Sequence, residues 1–284
     1  MLDGMAGSRC RWTVGTGLLG ALSLVGWSLL VGCAGDDGAA DVPTTRGPGE
    51  YLPGLGVSVD LPAEAPAAVV VLVPGGGWQT ADPESWSPLA ADLADNGLAA
   101  VTITYGTSST DSHYPRPVDD IACAVAYAAE QVPGVPVVLL GHSAGAELVA
   151  LVGLVPDRED ATCPYAPYAP DAVVGLAGPY DVSRVGDIAE SLFGVPEADD
   201  PELWRDGNPF TWTAERPDVP YLLVFGEADD VVPEVLTDDF AAALTEGGHD
   251  VTVEKLPGVT HETVYTAPVI GDLLVAWITA EFPS

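Results

Sequence analysis

A serine with small neighbours lies between a predicted buried strand and a predicted helix. The apolar stretch 135–140 runs into GHSAG, in which Ser143 is central, and the apolar run AELVALVGL follows. A sharp strand-to-helix turn requires small neighbours, here Gly141 and Gly145, and lifts the serine hydroxyl clear of the sheet. The N-terminus of the following helix points at developing negative charge. The pattern therefore predicts that Ser143 is a nucleophile.

Three consecutive glycines, Gly75 to Gly77, follow a second predicted buried strand, which covers residues 68–73. Bare backbone lets two N–H groups point at one oxygen, so this loop can serve as an oxyanion hole. An ordinary turn is the alternative interpretation. A phosphate-binding loop is disfavoured because no G-x-x-x-x-G-K pattern is present and no lysine is near.

Candidates for an acid and a base occur later in the chain. The segment GEADDVVP follows the strand predicted over residues 221–225. An aspartate there can orient an imidazole, and Asp230 is the structural alternative, a cap for the helix expected to start near Pro233. His261 follows the last predicted strand in LPGVTHETVY. Of the other three histidines, His142 is expected to point away from the serine, and those at positions 113 and 249 are expected at the surface.

The pair PGGGW and GHSAG resembles the HGGGW and GxSxG motifs of α/β-hydrolases, in the branch of hormone-sensitive lipase, kynurenine formamidase and small bacterial carboxylesterases. The likeness covers roughly residues 66–284 and includes GPYD at 178–181. GEADDVVP is similar to the family's G-x-x-D-x-x-V-P, and PGVTH is similar to its P-G-x-x-H. The resemblance thus implies a triad of Ser143, His261 and Asp229, in the chain order of α/β-hydrolases.

The same resemblance implies that the backbone N–H groups of Gly76, Gly77 and Ala144 form the oxyanion hole. One departure is Pro74, which stands where the family usually has histidine. The family's histidine helps to hold the loop, and the fixed φ of proline can do the same.

The activity implied by the resemblance is that of a serine carboxylesterase, which cleaves small or medium acyl esters through an acyl-enzyme. Arylformamidase, feruloyl- or acetylesterase and polyester hydrolase activities stay open because the same triad serves them all. An inert tethered binding protein on a hydrolase scaffold is disfavoured because every triad position is occupied. No cofactor and no metal are expected, since the histidines and cysteines lack ligand spacing.

The elements that position these residues alternate between short β-branched runs and longer amphipathic stretches. This alternation predicts an α/β class domain over residues 51–284, with a mostly parallel sheet and helices on both faces, as in the α/β-hydrolase fold. Segment 183–218 lacks a clear strand, so the domain has a small lid there or none. Strands are expected at 57–61, 68–73, 99–105, 135–140, 172–176, 221–225 and 251–255, and helices near 84–96, 118–131, 144–155, 233–246 and 266–281.

Acidic residues dominate the charge: 42 Asp and Glu face 9 Lys and Arg, which gives a formal net charge of −33. Such a surface repels phosphate backbones and anionic lipid headgroups. The composition therefore excludes nucleic acid as a partner and disfavours strongly anionic substrates.

The N-terminus has the organisation of a targeting signal. Arg9 and Arg11 precede an uncharged stretch over residues 12–32, which ends in LVGC at Cys33. This end resembles the lipobox of bacterial lipoproteins, which implies a signal peptide over 1–32, an acylated Cys33 and a flexible linker over 33–50. The domain would then be extracytoplasmic, at the cell surface or in the periplasm, and would touch the membrane through its lipid anchor only. An uncleaved transmembrane anchor is the alternative.

Cys123 and Cys163 remain once Cys10 in the leader and Cys33 are set aside. Two cysteines in an oxidising compartment can pair. Two separate buried thiols are the alternative.

Replacing Cys33 with serine removes the thiol that the lipobox resemblance marks for acylation. We expect incorporation of a fatty-acid analogue to be lost and the protein to move from the membrane to the soluble fraction. Cys10→Ser is the control and should keep both properties. Labelling that persists in Cys33→Ser would rule out the lipoprotein interpretation.

Overall fold

The computed structural model describes residues 45–156 and 162–283. The expected signal peptide, Cys33 and most of the expected linker lie outside these residues. No helix in the described part of the chain is long and apolar enough to span a membrane.

A single eight-stranded sheet forms the centre of the described domain, in the order β1-β2-β4-β3-β5-β6-β7-β8. Strands β1 and β2 pair antiparallel, as do β2 and β4, and all other neighbouring strands pair parallel. The mostly parallel sheet expected from the sequence is thus confirmed. Its strands are β1 (Thr45–Leu52), β2 (Leu55–Asp60), β3 (Val69–Val73), β4 (Ala99–Ile103), β5 (Val137–His142), β6 (Ala172–Leu176), β7 (Tyr221–Gly226) and β8 (Val251–Leu256).

Helices cover both faces of this sheet. Helices α2, α3 and α6 contribute to the apolar core on one face, and α1 and α7 to the core on the other. The helices are α1 (Ser87–Asp95), α2 (Arg116–Gln131), α3 (Ala144–Leu154), α4 (Glu190–Phe193), α5 (Pro201–Asp206), α6 (Glu234–Gly247) and α7 (Ala267–Glu281).

The central strands are apolar at every position because both of their faces are covered. In β3, Val69, Val71 and Val73 enter one core, whereas Val70 and Leu72 enter the other. This is the two-residue period of a strand, with a helix layer on each side. It explains why these runs show no polar alternation in the sequence.

The folded part begins earlier than the sequence suggested. Strand β1 starts at Thr45, whereas the boundary was expected near Tyr51, with a flexible linker up to residue 50. The sequence TRGPGEYL shows no hydrophobic period, yet it pairs with β2 from Thr45↔Asp60 to Leu52↔Leu55. Backbone pairing rather than side-chain pattern therefore defines this edge strand.

Segment 183–218 contains no strand, as expected. It forms α4, α5 and short 3₁₀ turns, among them Gly186–Ile188 and Pro209–Trp212. The segment is tied to the rest of the domain by a hydrogen bond from Tyr114 N–H to the Leu192 carbonyl and by an ion pair between Arg184 and Asp239.

Cys123 and Cys163 form a disulfide, with their Cα atoms 5.6 Å apart. Cys123 lies on α2, and Cys163 lies in the segment that leads to β6. The bond therefore joins a core helix to a long surface connection. Of the two alternatives that the sequence left open, the pairing is the one found.

The double variant Cys123→Ala/Cys163→Ser is expected to lower the free energy of unfolding by about 4 kcal/mol, because the bond closes a loop with a sequence separation of 40 residues. Equilibrium denaturation with and without reductant measures the change. Reductant should lower the free energy of unfolding of the wild type by a similar amount and should leave that of the double variant unchanged. Alkylation of both thiols in the denatured, unreduced wild type would contradict the pairing.

Candidate active site

Four loops that carry candidate residues follow β3, β5, β7 and β8. The carboxyl ends of parallel strands lie at one edge of a sheet, and ligands bind there beside the point where the strand order reverses. In this sheet, the order reverses between β3 and β5. The glycine loop follows β3 and the candidate nucleophile follows β5, so both lie at this point.

Ser143 occupies a strained turn between β5 and α3, with φ 53° and ψ −124°. This conformation is unfavourable for a residue with a side chain and is found mainly where surrounding structure enforces it. The Ser143 N–H donates to the Leu176 carbonyl of β6 at 2.9 Å, which anchors the turn to the sheet. A Cβ at Gly141 would overlap the Gly145 carbonyl, and one at Gly145 would overlap the Val73 carbonyl. Both glycines are therefore required by close backbone contacts.

The glycine loop after β3 also depends on backbone conformations that favour glycine. Gly76 has φ +137° and Gly77 has φ +58°. A Cβ at Gly76 would overlap the Thr80 carbonyl. Among the described residues, the N–H groups of Gly76, Gly77 and Ala144 donate no hydrogen bond within the protein. All three residues line the same cavity as Ser143.

Asp229 and His261 form a buried hydrogen-bonded pair. Nδ1 of His261 lies 2.8 Å from Oδ2 of Asp229, and the two side chains are only 6% and 3% exposed. The other carboxylate oxygen accepts the N–H groups of Val231 and Val232 at 2.8 and 2.9 Å. Because the carboxylate accepts at Nδ1, the neutral imidazole carries its proton there and leaves Nε2 as an acceptor.

The structure resolves the choice between the two aspartates after β7. Asp230 is exposed, and α6 has Pro233 at its N-cap with no side-chain cap hydrogen bond. Asp229 is the residue that contacts His261. Asp230 does not cap α6.

A cavity of about 410 Å³ brings the candidate residues together. Ser143 and His261 both line it, although no hydrogen bond joins the serine Oγ to the imidazole in the described structure. Val185 and Ile188, from the segment considered as a lid, also line the cavity. The remaining lining residues are Pro74, Gly75, Gly76, Gly77, Trp78, Thr80, Asp82, Ser85, Trp86, His142, Ala144, Pro179, Val231, Val232, Glu262 and Tyr265.

His142, to which the sequence assigned no role, contacts the candidate base directly. Its Nε2 donates to the His261 carbonyl at 3.0 Å, and its ring centroid lies 4.6 Å from those of His261 and Tyr265. Burial, together with the neighbouring His261, lowers the pKa of His142 to about 3. The ring is therefore uncharged at neutral pH, and it supports the His261 loop without adding a positive charge.

Two other histidines were wrongly expected at the surface. His249 is only 5% exposed and contacts the Val219 carbonyl through Nδ1 at 2.9 Å. His113 is half-buried, with Nδ1 3.0 Å from the Ser191 carbonyl. Both rings pack against segments distant in the chain, which a local pattern does not reveal.

The BD-FAE family model matches residues 57–244, which include the glycine loop, the serine turn and Asp229. The chain belongs to the BD-FAE family. Esterase LipQ of Mycobacterium tuberculosis is 28% identical over 263 residues, which cover 86% of this chain and 61% of the relative. The chain thus spans about three fifths of the length of that relative.

Solved esterase structures share the fold of this BD-FAE member. A truncated carbohydrate esterase from gut microbiota superposes with a TM-score of 0.70 at 18% identity, covering 87% of this chain and 99% of that one. Butyrate-bound Est2 of Thermogutta terrifontis gives 0.67 at 19% identity, covering 84% and 93%. The same organism's esterase 2, phosphonylated by sarin, gives 0.67 at 22% identity, covering 84% and 94%. The α/β-hydrolase fold expected from the sequence is confirmed.

Proposed function

We propose that the chain is a serine carboxylic-ester hydrolase with a triad of Ser143, His261 and Asp229. The observation that carries the proposal is the single cavity that joins a serine on a strained turn to a histidine held by a buried carboxylate. This arrangement provides a nucleophile, a base and a group that orients the base. The relatives described as esterases support the same reaction class.

In the proposed acylation step, Ser143 Oγ attacks the acyl carbonyl while Nε2 of His261 accepts the serine proton. Asp229 holds the Nδ1 proton and stabilises the imidazolium that forms. His261 then donates its Nε2 proton to the departing alcohol, which leaves the acyl group on Ser143. In deacylation, His261 deprotonates water, which attacks the acyl-enzyme and restores the free serine.

The developing oxyanion would be stabilised by the N–H groups of Gly76, Gly77 and Ala144. All three residues line the cavity; the glycines belong to the loop after β3, and the alanine begins α3. Donors fixed in advance stabilise the transition state without reorganising during the reaction. The uncharged His142 ring suits this mechanism because the imidazolium at His261 faces no second cation there.

For the substrate, we propose uncharged small or medium acyl esters. Two carboxylates, Asp82 and Glu262, contribute to the cavity lining, and no lysine or arginine is among its described lining residues. Apolar Ile188 and Val231 line the same cavity and are 59% and 60% exposed. Uncharged acyl and alcohol groups fit this lining, whereas a negative charge would be repelled.

We also propose that the mature protein is an extracytoplasmic lipoprotein anchored through Cys33. The resemblance of LVGC to a lipobox supports this localisation. The Cys123–Cys163 disulfide is compatible with an oxidising compartment.

A fluorophosphonate probe is expected to label the wild type and to leave Ser143→Ala unlabelled, because the probe needs an activated nucleophile. Ester hydrolysis by this variant should fall about 10⁶-fold, and by Asp229→Asn about 10⁴-fold. The exposed Ser87→Ala serves as the matched serine control and should react as the wild type does. Equal labelling of Ser143→Ala and the wild type would refute the proposed nucleophile.

Charge selectivity tests the proposed substrate class. For two esters of one alcohol, kcat/KM should be at least about tenfold higher for a butyrate than for a hemisuccinate, and added salt should narrow the ratio by screening. The double variant Asp82→Asn/Glu262→Gln should also lower the ratio of kcat/KM for the butyrate to that for the hemisuccinate. The control Glu246→Gln, at an exposed position near the C-terminal end of α6, should leave this ratio unchanged. Equal rates for both esters at low salt would contradict the proposal. Acetyl, feruloyl, formamide and polyester substrates in the same assay would rank the alternative activities.

A further inference from the structure

A carboxylate is buried one turn after Ser143 on α3. Glu147 is fully buried, and burial raises the pKa of its side chain to about 8. Its backbone N–H donates to the Ser143 carbonyl at 3.3 Å. The proposed triad and oxyanion donors make no use of this side chain.

The Glu147 side chain connects α3 to the residue that ends the glycine loop. Its Oε2 accepts a hydrogen bond from Nε1 of Trp78 at 3.0 Å, across 69 residues of sequence. Its Oε1 has no hydrogen-bond partner in the described part of the chain. A buried polar atom without a partner is costly, and the cost rises sharply if the group is charged. The contact with Trp78 is thus kept despite an unfavourable environment for a carboxylate.

Trp78 is fixed at its backbone as well as its ring. It is 2% exposed and has φ +57°, directly after Gly77. Its carbonyl accepts the N–H of Ser108 at 3.0 Å and the Ser108 hydroxyl at 3.3 Å. Any displacement of the indole would therefore be transmitted to the neighbouring glycine.

The start of the glycine loop is fixed by Tyr105, a buried residue close to Glu147. The carbonyl of Pro74, the residue before the three glycines, accepts a hydrogen bond from the Tyr105 hydroxyl at 2.8 Å. Burial is the main cause of the raised pKa of Tyr105, and the nearby Glu147 raises it further. Tyr105 is thus the titratable group that senses Glu147, and desolvation rather than a neighbouring cation sets the Glu147 pKa.

We propose that Glu147 is a positioning residue which, through Trp78, holds the glycine loop at a fixed distance from Ser143. The inference rests on the proposed function, because it assigns Glu147 a role in placing the oxyanion donors. Glu147 performs this role in its uncharged form at neutral pH. Ionisation at alkaline pH would place a charge on a buried group whose Oε1 has no partner in the described part of the chain, and we expect this to destabilise the packing that holds the loop.

Three variants test the role. Glu147→Leu removes the acceptor, Trp78→Phe removes the donor, and Glu147→Gln keeps an acceptor oxygen while resembling the protonated acid. At pH 7 we expect kcat to fall about tenfold or more in the first two, with KM changed less than about threefold, because the loop acts on the transition state. Glu147→Gln should recover most of the kcat that Glu147→Leu loses. The double variant Glu147→Leu/Trp78→Phe should be no slower than the single variants, since both remove the same contact.

The variant Leu148→Ala distinguishes a positioning role of Glu147 from a purely structural one, because it truncates a fully buried neighbouring side chain on α3. This control should lower the thermal midpoint yet keep the kcat of the folded enzyme. If Glu147→Leu does not fold, Trp78→Phe and Glu147→Gln still decide the question. Wild-type kcat in Trp78→Phe and in any folded Glu147→Leu would overturn the proposal. If the fluorophosphonate probe does not label the wild type, the serine-hydrolase proposal itself is refuted instead.

The pH dependence gives a readout that does not require activity. The Glu147 pKa is raised from 4.5 to about 8 in the folded protein, so the wild type loses stability as the pH rises through this window. Glutamine does not ionise, so Glu147→Gln does not lose stability in this way. The thermal midpoint of Glu147→Gln minus that of the wild type should therefore increase from pH 5 to pH 8. In a separate activity measurement, we expect kcat of the wild type to decline near pH 8 and that of Glu147→Gln to decline less. A constant difference in midpoint, with an unchanged alkaline decline, would show that Glu147 does not act in uncharged form.

Discussion

The backbone contact between the first turn of α3 and the end of β3 constrains the rest of the site. A Cβ at Gly145 would collide with the carbonyls of Val73 and Pro74, and one at Gly75 would collide with the carbonyl of His142. Two chain segments are thus packed with no room for a side chain between them. As a result, the serine turn and the glycine loop cannot shift independently, and their N–H groups meet at one cavity.

Behind this contact, the interior accommodates ionisable groups in two different ways. Asp229 is paired with His261 and accepts two backbone N–H groups, so its charge is compensated by hydrogen bonds. Burial instead favours the uncharged forms of His142 and Glu147. Apart from the paired Asp229, the ionisable groups buried beside the proposed serine and base are thus uncharged at neutral pH, which lets the fixed amide dipoles act in a medium of low dielectric constant.

Local pattern was sufficient for most of the architecture. The apolar runs that became β3, β5, β6 and β7 are strands buried on both faces, and the predicted helices fall within a few residues of the observed ones. The pattern failed at β1, whose glycines and proline show no alternation, because pairing with β2 forms that strand. It also failed at His249, which packs edge-on against Tyr221 of β7 although it follows two glycines typical of a surface turn. Glu147 did leave a signal, as the charged residue in the otherwise apolar run AELVALVGL.

By itself, the sequence determined the alternation of strands and helices, the glycine spacing around Ser143, and the acidic and imidazole side chains that follow later strands. These are properties of short segments, so periodicity and steric limits suffice to read them. Only the tertiary structure decided that Asp229 contacts His261, that Cys123 meets Cys163, and that Glu147 reaches Trp78. These pairs are separated by 32, 40 and 69 residues. Contacts at such separations depend on strand order and on how the layers pack, which no local pattern specifies.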